Sequence, residues 1–412
     1  MEYGLIGEKL GHSFSKIIHK ELAGYDYSLC EIPKGELDSF MKKADFKGIN
    51  VTIPYKEAVI PYLYEIDDIA REIGAVNTIV NKNGKLYGYN TDFYGLSALI
   101  KKADINFTDK KVLILGSGGT SKTAFCVAKS LSAKEILKVS RKGGEGLITY
   151  SEAVLNHRDT EVIINTTPCG MFPDIDNMPL DIEKFENLQG VIDVIYNPLC
   201  SKLVVSAKER GIKAVGGLYM LVSQGAFAAE KFADIKIDNS KTEKVYQKLL
   251  KEKQNLVLIG MPSCGKTTLG KSLAKDLSMD FVDSDELIVK KTGMTIPEIF
   301  ETKGEKGFRE IESEIIAEIS LKQNTVIATG GGAVLNRKNI RLLKSNGVVI
   351  FIDRPLKMLV TTSDRPLSAD KDLLKKRYAE RYDIYCESAD KKIDGSGSIE
   401  ENINAVKEAF KL

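Results

Sequence analysis

Gly260-Met261-Pro262-Ser263-Cys264-Gly265-Lys266-Thr267 follows directly on the apolar run Leu256-Val257-Leu258-Ile259. The stretch fits G-x-x-x-x-G-K-[ST], and it stands where that spacing has mechanical meaning, between a predicted strand and a predicted helix. Glycines let backbone N–H groups turn inward around phosphate oxygens at the positive end of the following helix. Lys266 would neutralise the β and γ phosphates of ATP, and the Thr267 hydroxyl would ligate Mg²⁺. The expected ATP-binding set is Gly260, Ser263, Cys264, Gly265, Lys266, Thr267 and Thr268, with Cys264 as a small filler of the loop.

Working outward, a second strand, Val112-Leu113-Ile114-Leu115, runs into Gly116-Ser117-Gly118-Gly119 and a helix predicted from about Thr120. Two glycine-rich strand-to-helix turns in one chain imply two nucleotide sites. Short β-branched runs alternate with amphipathic stretches throughout, the pattern of mostly parallel sheets covered by helices, so the fold class is α/β. Between the two halves, residues 238–254 are polar and lysine-rich, and read as a connector with a short solvated helix over 243–252. The 412 residues are enough for two or three domains at about 100–200 residues each.

Composition narrows the function classes. Lys and Arg total 59 against 57 Asp and Glu, so no basic groove for nucleic acid or basic membrane face is expected. The start, Met1-Glu2-Tyr3-Gly4-Leu5-Ile6-Gly7, lacks the basic and apolar regions of a signal peptide. No apolar run approaches the roughly 20 residues that span a bilayer. Six scattered cysteines form no C-x-x-C pair, so neither a disulfide scaffold nor structural zinc is expected, and a cytoplasmic protein is.

Beyond the phosphate loop, Met279-Asp280-Phe281-Val282 leads into Asp283-Ser284-Asp285. Alternating carboxylates at a strand end can divide labour, one completing a metal shell and the other holding an acceptor hydroxyl. Then come Thr292-Gly293, Gly304-Glu305-Lys306-Gly307-Phe308-Arg309, and the strand Val326-Ile327-Ala328 ending in Thr329-Gly330-Gly331-Gly332. Asp364-Arg365-Pro366-Leu367 and the stretch from Arg381 to Tyr385 complete the set. Together these resemble shikimate kinase from about residue 255 to the C-terminus. The resemblance implies a P-loop domain with a parallel sheet over 254–412. It also implies that Asp283, with Thr267, serves Mg²⁺ and that Asp285 holds shikimate as a catalytic residue beside Lys266. Arg309, Gly330, Gly331, Gly332 and Arg381 match its substrate positions, and Arg365 its nucleotide lid. Arg377 precedes Tyr382 by five and is the poorer match for the late arginine. The segment 359–364 is short and lacks an arginine that the family often carries near its start.

In the first half, Gly48-Ile49-Asn50-Val51-Thr52-Ile53-Pro54-Tyr55-Lys56 places Lys56 just beyond a predicted strand. Gly74-Ala75-Val76-Asn77-Thr78 and Gly88-Tyr89-Asn90-Thr91-Asp92 bring polar groups to two more strand ends. These, with His12-Ser13-Phe14-Ser15, resemble shikimate dehydrogenase over about residues 1–238. The resemblance pairs Lys56 with Asp92 as the catalytic couple. Ser13, Ser15, Thr52, Asn77 and Gln224 match its substrate positions, and Tyr196 falls in its Asp193-Val194-Ile195-Tyr196-Asn197-Pro198 motif. Asn165-Thr166-Thr167-Pro168-Cys169-Gly170-Met171 matches another strand end, and Met220 is implied to lie near the nicotinamide. Tyr219 stands where many members have glycine. The strand over 135–139 ends in Ser140-Arg141-Lys142 with no acidic residue for the ribose hydroxyls, which favours NADP over NAD. The expected cofactor set is Gly116, Gly118, Gly119, Ser140, Arg141, Thr166 and Met220.

The chemistry follows from the pair. As hydride reaches a ring ketone, charge develops on oxygen, which the Lys56 ammonium can stabilise and protonate. The Asp92 carboxylate would keep the lysine and a substrate hydroxyl in register. Only three histidines occur: His12 is expected to shape the serine loop, and His19 and His157 read as surface residues.

The expected organisation is therefore a substrate domain over 1–95 completed by helices at about 218–238, and a Rossmann domain over 96–217. A linker over 239–253 and the kinase domain follow. The expected activities are successive: NADPH-dependent reduction of 3-dehydroshikimate, then phosphorylation of shikimate by ATP. The partners are small molecules, with no nucleic acid and no membrane. Rival expectations are a dehydrogenase preferring quinate or an aminated analogue, another small-metabolite kinase such as a gluconate kinase, and a ligand-sensing regulator built from decayed domains. The last would lack Lys56, Asp92, Lys266 or Asp283, all of which are present.

Overall fold

A computed structural model describes residues 1–11, 13–359 and 371–410. The chain divides into two compact units, Met1–Leu249 and Leu250–Leu412.

The first unit holds two six-stranded sheets. One is built from β1 (Tyr3–Gly7), β2 (Tyr27–Glu31), β3 (Gly48–Val51), β4 (Glu65–Ile66), β5 (Thr78–Lys82) and β6 (Lys85–Tyr89), in the order β2-β1-β3-β5-β6-β4. It is mixed, because β5 runs antiparallel to both β3 and β6. The other comprises β7 (Lys111–Leu115), β8 (Glu135–Ser140), β9 (Leu147–Thr149), β10 (Val162–Asn165), β11 (Gly190–Asp193) and β12 (Lys213–Val215). Its order is β12-β11-β10-β7-β8-β9, and every pair in it is parallel. Val112, Leu113, Ile114 and Leu115 are all fully buried, as a central strand covered by helices on both faces requires.

Two helices of this unit approach at backbone distance. On the Thr91–Ala103 helix, a Cβ at Gly95 would stand 2.7 Å from the Met220 carbonyl and 2.9 Å from the Gln224 Cβ of the Leu218–Ala233 helix. Only glycine permits that approach, and it sets the Asp92 and Gln224 helices face to face. Asn90 caps the first of them: its Oδ1 accepts from the Phe93 N–H while its Nδ2 donates to the Ala75 carbonyl. Asp92 is thereby held in the helix's first turn.

The segment expected as a solvated connector differs from that expectation. It is one helix, Asn239–Lys253, whose residues Thr242, Val245 and Leu249 are buried in a face spaced by three and four residues. Lys102 pairs with Glu243 at 2.8 Å and Lys248 with Glu21 at 2.8 Å, so most of the helix belongs to the first unit. The cause is amphipathicity: lysines dominate the composition, but Lys241, Lys244, Lys248 and Lys251 are exposed, on the side away from the buried face.

The second unit is a five-stranded, all-parallel sheet of β13 (Asn255–Ile259), β14 (Asp280–Asp283), β15 (Thr325–Ala328), β16 (Gly347–Asp353) and β17 (Lys391–Asp394). The order is β14-β15-β13-β16-β17, with β13 central and buried at all five positions. Burying a side chain such as Leu256 or Ile259 stabilises by about 1.5–3 kcal/mol. The phosphate loop therefore springs from the most firmly held strand of its sheet. Among the described residues, no helix is long and apolar enough to cross a membrane.

Candidate active sites

In the first unit, the segment between β3 and β5 turns Lys56 toward the start of the Thr91–Ala103 helix. Its Nζ donates to Asp92 Oδ2 at 2.5 Å, with Lys56 17% and Asp92 6% exposed in their side chains. Ser13, Ser15, Thr52, Asn77, Tyr196 and Gln224 line one recess with this pair, with a cavity volume of about 180 Å³. A recess of that size suits a small polar molecule. Its polar groups are fixed from behind. Asn77 Oδ1 accepts from the Thr91 N–H at 2.7 Å and from the Thr78 hydroxyl at 3.1 Å, which leaves its Nδ2 to donate to Gln224 Oε1 at 3.2 Å. Burial pushes the Tyr196 phenol above its ordinary range, so it faces the recess as a neutral hydroxyl.

Two wall residues were missed from sequence. Asn50 lines the recess, with its Oδ1 accepting from the Tyr27 hydroxyl at 2.6 Å. His19, expected at the surface, is 2% exposed and also lines the recess. It stacks on Tyr27 with ring centroids 4.1 Å apart and hydrogen-bonds Tyr25 through Nδ1. Burial depresses its pKa to about 3, against a weaker opposing effect from Asn50, so it is a neutral imidazole. The helical spacing of Ile18, His19 and Leu22 carried the signal for an inward face. His157 is half-buried, and its Nδ1 has no partner among the described residues. His12 lies outside the described residues.

The glycine turn after β7 adjoins this recess. Gly116 has φ +114°, and a Cβ there would stand 2.6 Å from Thr166 Oγ1, itself bonded to the Leu115 carbonyl. Gly118 caps the Gly119–Ser130 helix with open space where a Cβ would be. The corresponding position on Gly119 lies 3.8 Å from the Lys56 side chain, so the turn reaches the Lys56–Asp92 pair. The turn thus offers backbone N–H groups, a helix N-terminus and room for a phosphate. At the end of β8, Ser140 bonds the Gly143 carbonyl, and Arg141 and Lys142 are exposed, with no carboxylate at that strand end. These features fit a dinucleotide carrying a 2′-phosphate. Met220 is buried in the apolar core beneath and is not among the residues lining the recess. Asp193 at the end of β11 accepts from Asn165, Ile195 N–H and Ser201, while burial outweighs these bonds and raises its pKa to about 6. It ties two strand ends together beneath the site.

In the second unit, the loop after β13 closes on itself. Gly260 and Gly265 have φ +151° and +96°, and Ser263 takes φ +64° between them. Lys266 is buried, donating to the Gly260 and Met261 carbonyls at 2.8 and 2.9 Å. Cys264 is 2% exposed and packs as filler. The Thr267 hydroxyl donates to Asp283 Oδ2 at 2.6 Å, and Thr268 follows in the first turn of the Lys266–Leu277 helix. Asp283 also caps the next helix, its Oδ1 accepting from the Asp285 N–H at 2.9 Å. Two hard oxygen donors side by side at the mouth of a phosphate loop fit Mg²⁺, which keeps several waters and phosphate oxygens as its other ligands.

Asp285, Arg309, Gly330, Gly331, Gly332 and Arg381 line a neighbouring pocket that also includes Pro262 of the loop. Gly304, at φ +68° and ψ 179°, breaks the Ile296–Ser320 helix and re-aims the turn bearing Phe308 and Arg309. Arg381 is buried and donates to the Gly331 carbonyl at 3.1 Å, as does the Tyr385 hydroxyl at 2.5 Å. Arg309 pairs with Glu305 at 2.5 Å. Glu312, also missed from sequence, lines this pocket one helical turn beyond Arg309. Burial, and then the Asp285 carboxylate, push its pKa up to about 7. Arg377 Nη1 is buried without a partner among the described residues, outside the residues lining this pocket. Arg365 lies outside the described residues.

Comparison with known proteins adds three findings. Residues 5–79 match the family model of the shikimate dehydrogenase substrate binding domain, and residues 262–411 that of shikimate kinase. A shikimate dehydrogenase (NADP(+)) of Clostridium perfringens is 38% identical over 264 residues, covering 60% of this chain and 97% of that protein. Among solved structures, a chorismate mutase/shikimate 5-dehydrogenase fusion protein from Clostridium acetobutylicum is 39% identical with a TM-score of 0.57, covering 60% of this chain and 96% of that one. Shikimate 5-dehydrogenase from Thermus thermophilus, solved with NADP(H) and shikimate, is 28% identical with a TM-score of 0.54, over 60% of this chain and 99% of that one.

Proposed function

We propose two consecutive reactions for this chain, which belongs to the shikimate dehydrogenase family and carries a shikimate kinase domain behind it. It is a bifunctional enzyme of the shikimate pathway, an NADP-dependent dehydrogenase joined to a kinase. The first unit reduces 3-dehydroshikimate to shikimate with NADPH. The second transfers the γ-phosphoryl group of ATP to shikimate, giving shikimate 3-phosphate.

The observation that carries the proposal is that each unit joins a phosphate-binding glycine turn to a pocket for a small polyhydroxylated acid. NADPH, when bound, supplies the hydride equivalent. Lys56 faces the carbonyl oxygen, stabilises the charge that grows there and delivers the proton, while Asp92 holds the ammonium in place. Ser13, Ser15, Thr52, Asn77, Tyr196 and Gln224 offer hydroxyls and amides to the ring substituents. Arg141 is positioned to favour the 2′-phosphate of NADP. In the kinase, Asp285 orients the acceptor hydroxyl and takes its proton, and Lys266 leaves the loop carbonyls for the phosphates. Thr267 and Asp283 would hold Mg²⁺, whose charge offsets that of the phosphates. Arg309 and Arg381 grip the ring carboxylate, aided by the backbone of Gly330, Gly331 and Gly332. A shared chain raises each site's local concentration near the other.

One cuvette tests this. With 3-dehydroshikimate, NADPH and MgATP present, NADPH loss should be followed by ADP formation, and omitting NADPH should stop both. ADP formation that ignores shikimate, or a reverse oxidation that prefers quinate to shikimate, would reject the substrate assignment.

A further inference from the structure

We propose that Arg354 is a nucleotide-contacting residue of the kinase unit, supplying a second cation to the phosphate chain beside Lys266; this rests on the kinase function proposed above. Arg354 follows β16, the neighbour of β13 on the side opposite β15. The register pairs Ile259 with Phe351, so the end of β16 runs out alongside the phosphate loop. A Cβ on Gly260 would stand 2.9 Å from the Ile352 carbonyl, which shows how closely the two backbones pass. The chain then bends sharply, with the Arg354 N–H donating to the Ile352 carbonyl at 3.1 Å. On the other side, the Gly395 N–H donates to the Asp353 carbonyl at 2.9 Å, and a Cβ on Gly395 would lie 3.4 Å from the Arg354 nitrogen. Arg354 is therefore clamped at its backbone between the loop and the turn after β17.

Its side chain heads for the loop. Nη1 lies 3.9 Å from where a Cβ on Gly265 would stand, at the residue that caps the Lys266–Leu277 helix. Its Nε is buried and has no hydrogen-bond partner among the described residues. The neighbouring Asp353 carboxylate is taken up by Lys392 and the Tyr382 hydroxyl instead. A buried, unsatisfied guanidinium donor costs stability unless a ligand completes it. A cation that stands at a phosphate loop with a donor to spare is matched by a phosphate oxygen, and the planar fork suits that partner. Lys266 donates to the Gly260 and Met261 carbonyls, whereas Arg354 Nε has no partner among the described residues and can meet a phosphate oxygen.

The test uses the full-length chain and direct binding of ADP and of inorganic pyrophosphate by calorimetry, with adenosine as the control. Arg354→Ala should weaken ADP and pyrophosphate alike by roughly tenfold or more, leave adenosine unchanged, and leave the KM for shikimate at saturating ATP unchanged. Arg354→Lys should restore part of the loss, since it returns the charge without the fork. Unchanged ADP affinity in Arg354→Ala would overturn the proposal. So would a loss confined to adenosine, which would place the side chain on the base, or a matching rise in the KM for shikimate, which would mean general collapse of the unit. If the unaltered chain bound no ADP, the kinase assignment itself would fall, and this proposal with it.

Discussion

Replacing Glu312 by glutamine should reverse a pH-dependent weakness of the second unit. Glu312 is 2% exposed, and its Oε1 has no hydrogen-bond partner among the described residues. A Cβ at Gly330 would meet both Asp285 Oδ1 at 2.6 Å and Glu312 Oε1 at 2.8 Å, so two carboxylates converge on one point. Burial, and then Asp285, lift the Glu312 pKa from 4.5 to about 7, with Arg309 and Arg381 opposing more weakly. The folded chain therefore keeps this proton over a range where the unfolded chain has lost it. The sign is fixed by that: stability is greatest below the unfolded value of 4.5 and falls as pH rises through the folded value of about 7. The loss is on the order of 3 kcal/mol by pH 8. Glutamine has no proton to lose. Glu312→Gln should gain little at pH 4.5 and on the order of 3 kcal/mol at pH 8, about a hundredfold in the opening equilibrium. The chain has no tryptophan, so native-state hydrogen exchange of peptides covering the buried strands β13 and β15 is the assay, with intrinsic rates corrected for pH. An equal gain at both pH values, or a loss at pH 8, would refute the reasoning.

Five further substitutions separate the parts of the molecule. Lys56→Ala should abolish NADPH oxidation by 3-dehydroshikimate while sparing shikimate-dependent ADP formation, and Lys266→Ala should do the reverse, measured in parallel on each purified chain. Gly116→Ala forces a side chain into φ +114° and against Thr166 Oγ1; the positive φ alone costs about 1–2 kcal/mol. The KM for NADPH should rise roughly tenfold or more at unchanged kinase activity. Leu249→Ala removes a side chain that is 1% exposed on the Asn239–Lys253 helix. It should destabilise the dehydrogenase unit by about 2–5 kcal/mol, read as a lower thermal inactivation temperature. Lys102→Ala, breaking a half-exposed pair with Glu243, should cost about 1 kcal/mol or less.

The two glycine turns were legible because each rests on chemistry encoded within a few residues, whereas the Lys56–Asp92 and Thr267–Asp283 pairs, 36 and 16 residues apart, could be read only through the family resemblance. A strand that ends in glycine and starts a helix must present N–H groups there, whatever surrounds it. Asp283 and Asp285 could be read because alternation along a strand end is a local property. Glu312 was within reach of the same reasoning, since a spacing of three on a helix puts it beside Arg309. For His19 the helical spacing with Ile18 and Leu22 marked an inward face, but the stacking partner was not legible, because it depends on β2 lying beside β1 and bringing Tyr27 under the ring. The lysine-rich helix over residues 239–253 shows the same division: its apolar spacing is written in the sequence, but the surface that covers it belongs to the folded first unit.

Arg354 marks the far end of this range. No spacing links it to Gly265, and only the placement of β16 next to β13 brings the guanidinium to the phosphate loop. What the sequence determined by itself was the α/β class, the presence of two phosphate-binding turns and the chemistry of the residues within them. Tertiary structure alone decided which distant side chains share those turns' surroundings and which are buried without partners. The reason is that backbone sterics and capping act over a few residues, whereas desolvation and charge–charge contact depend on the order in which strands assemble.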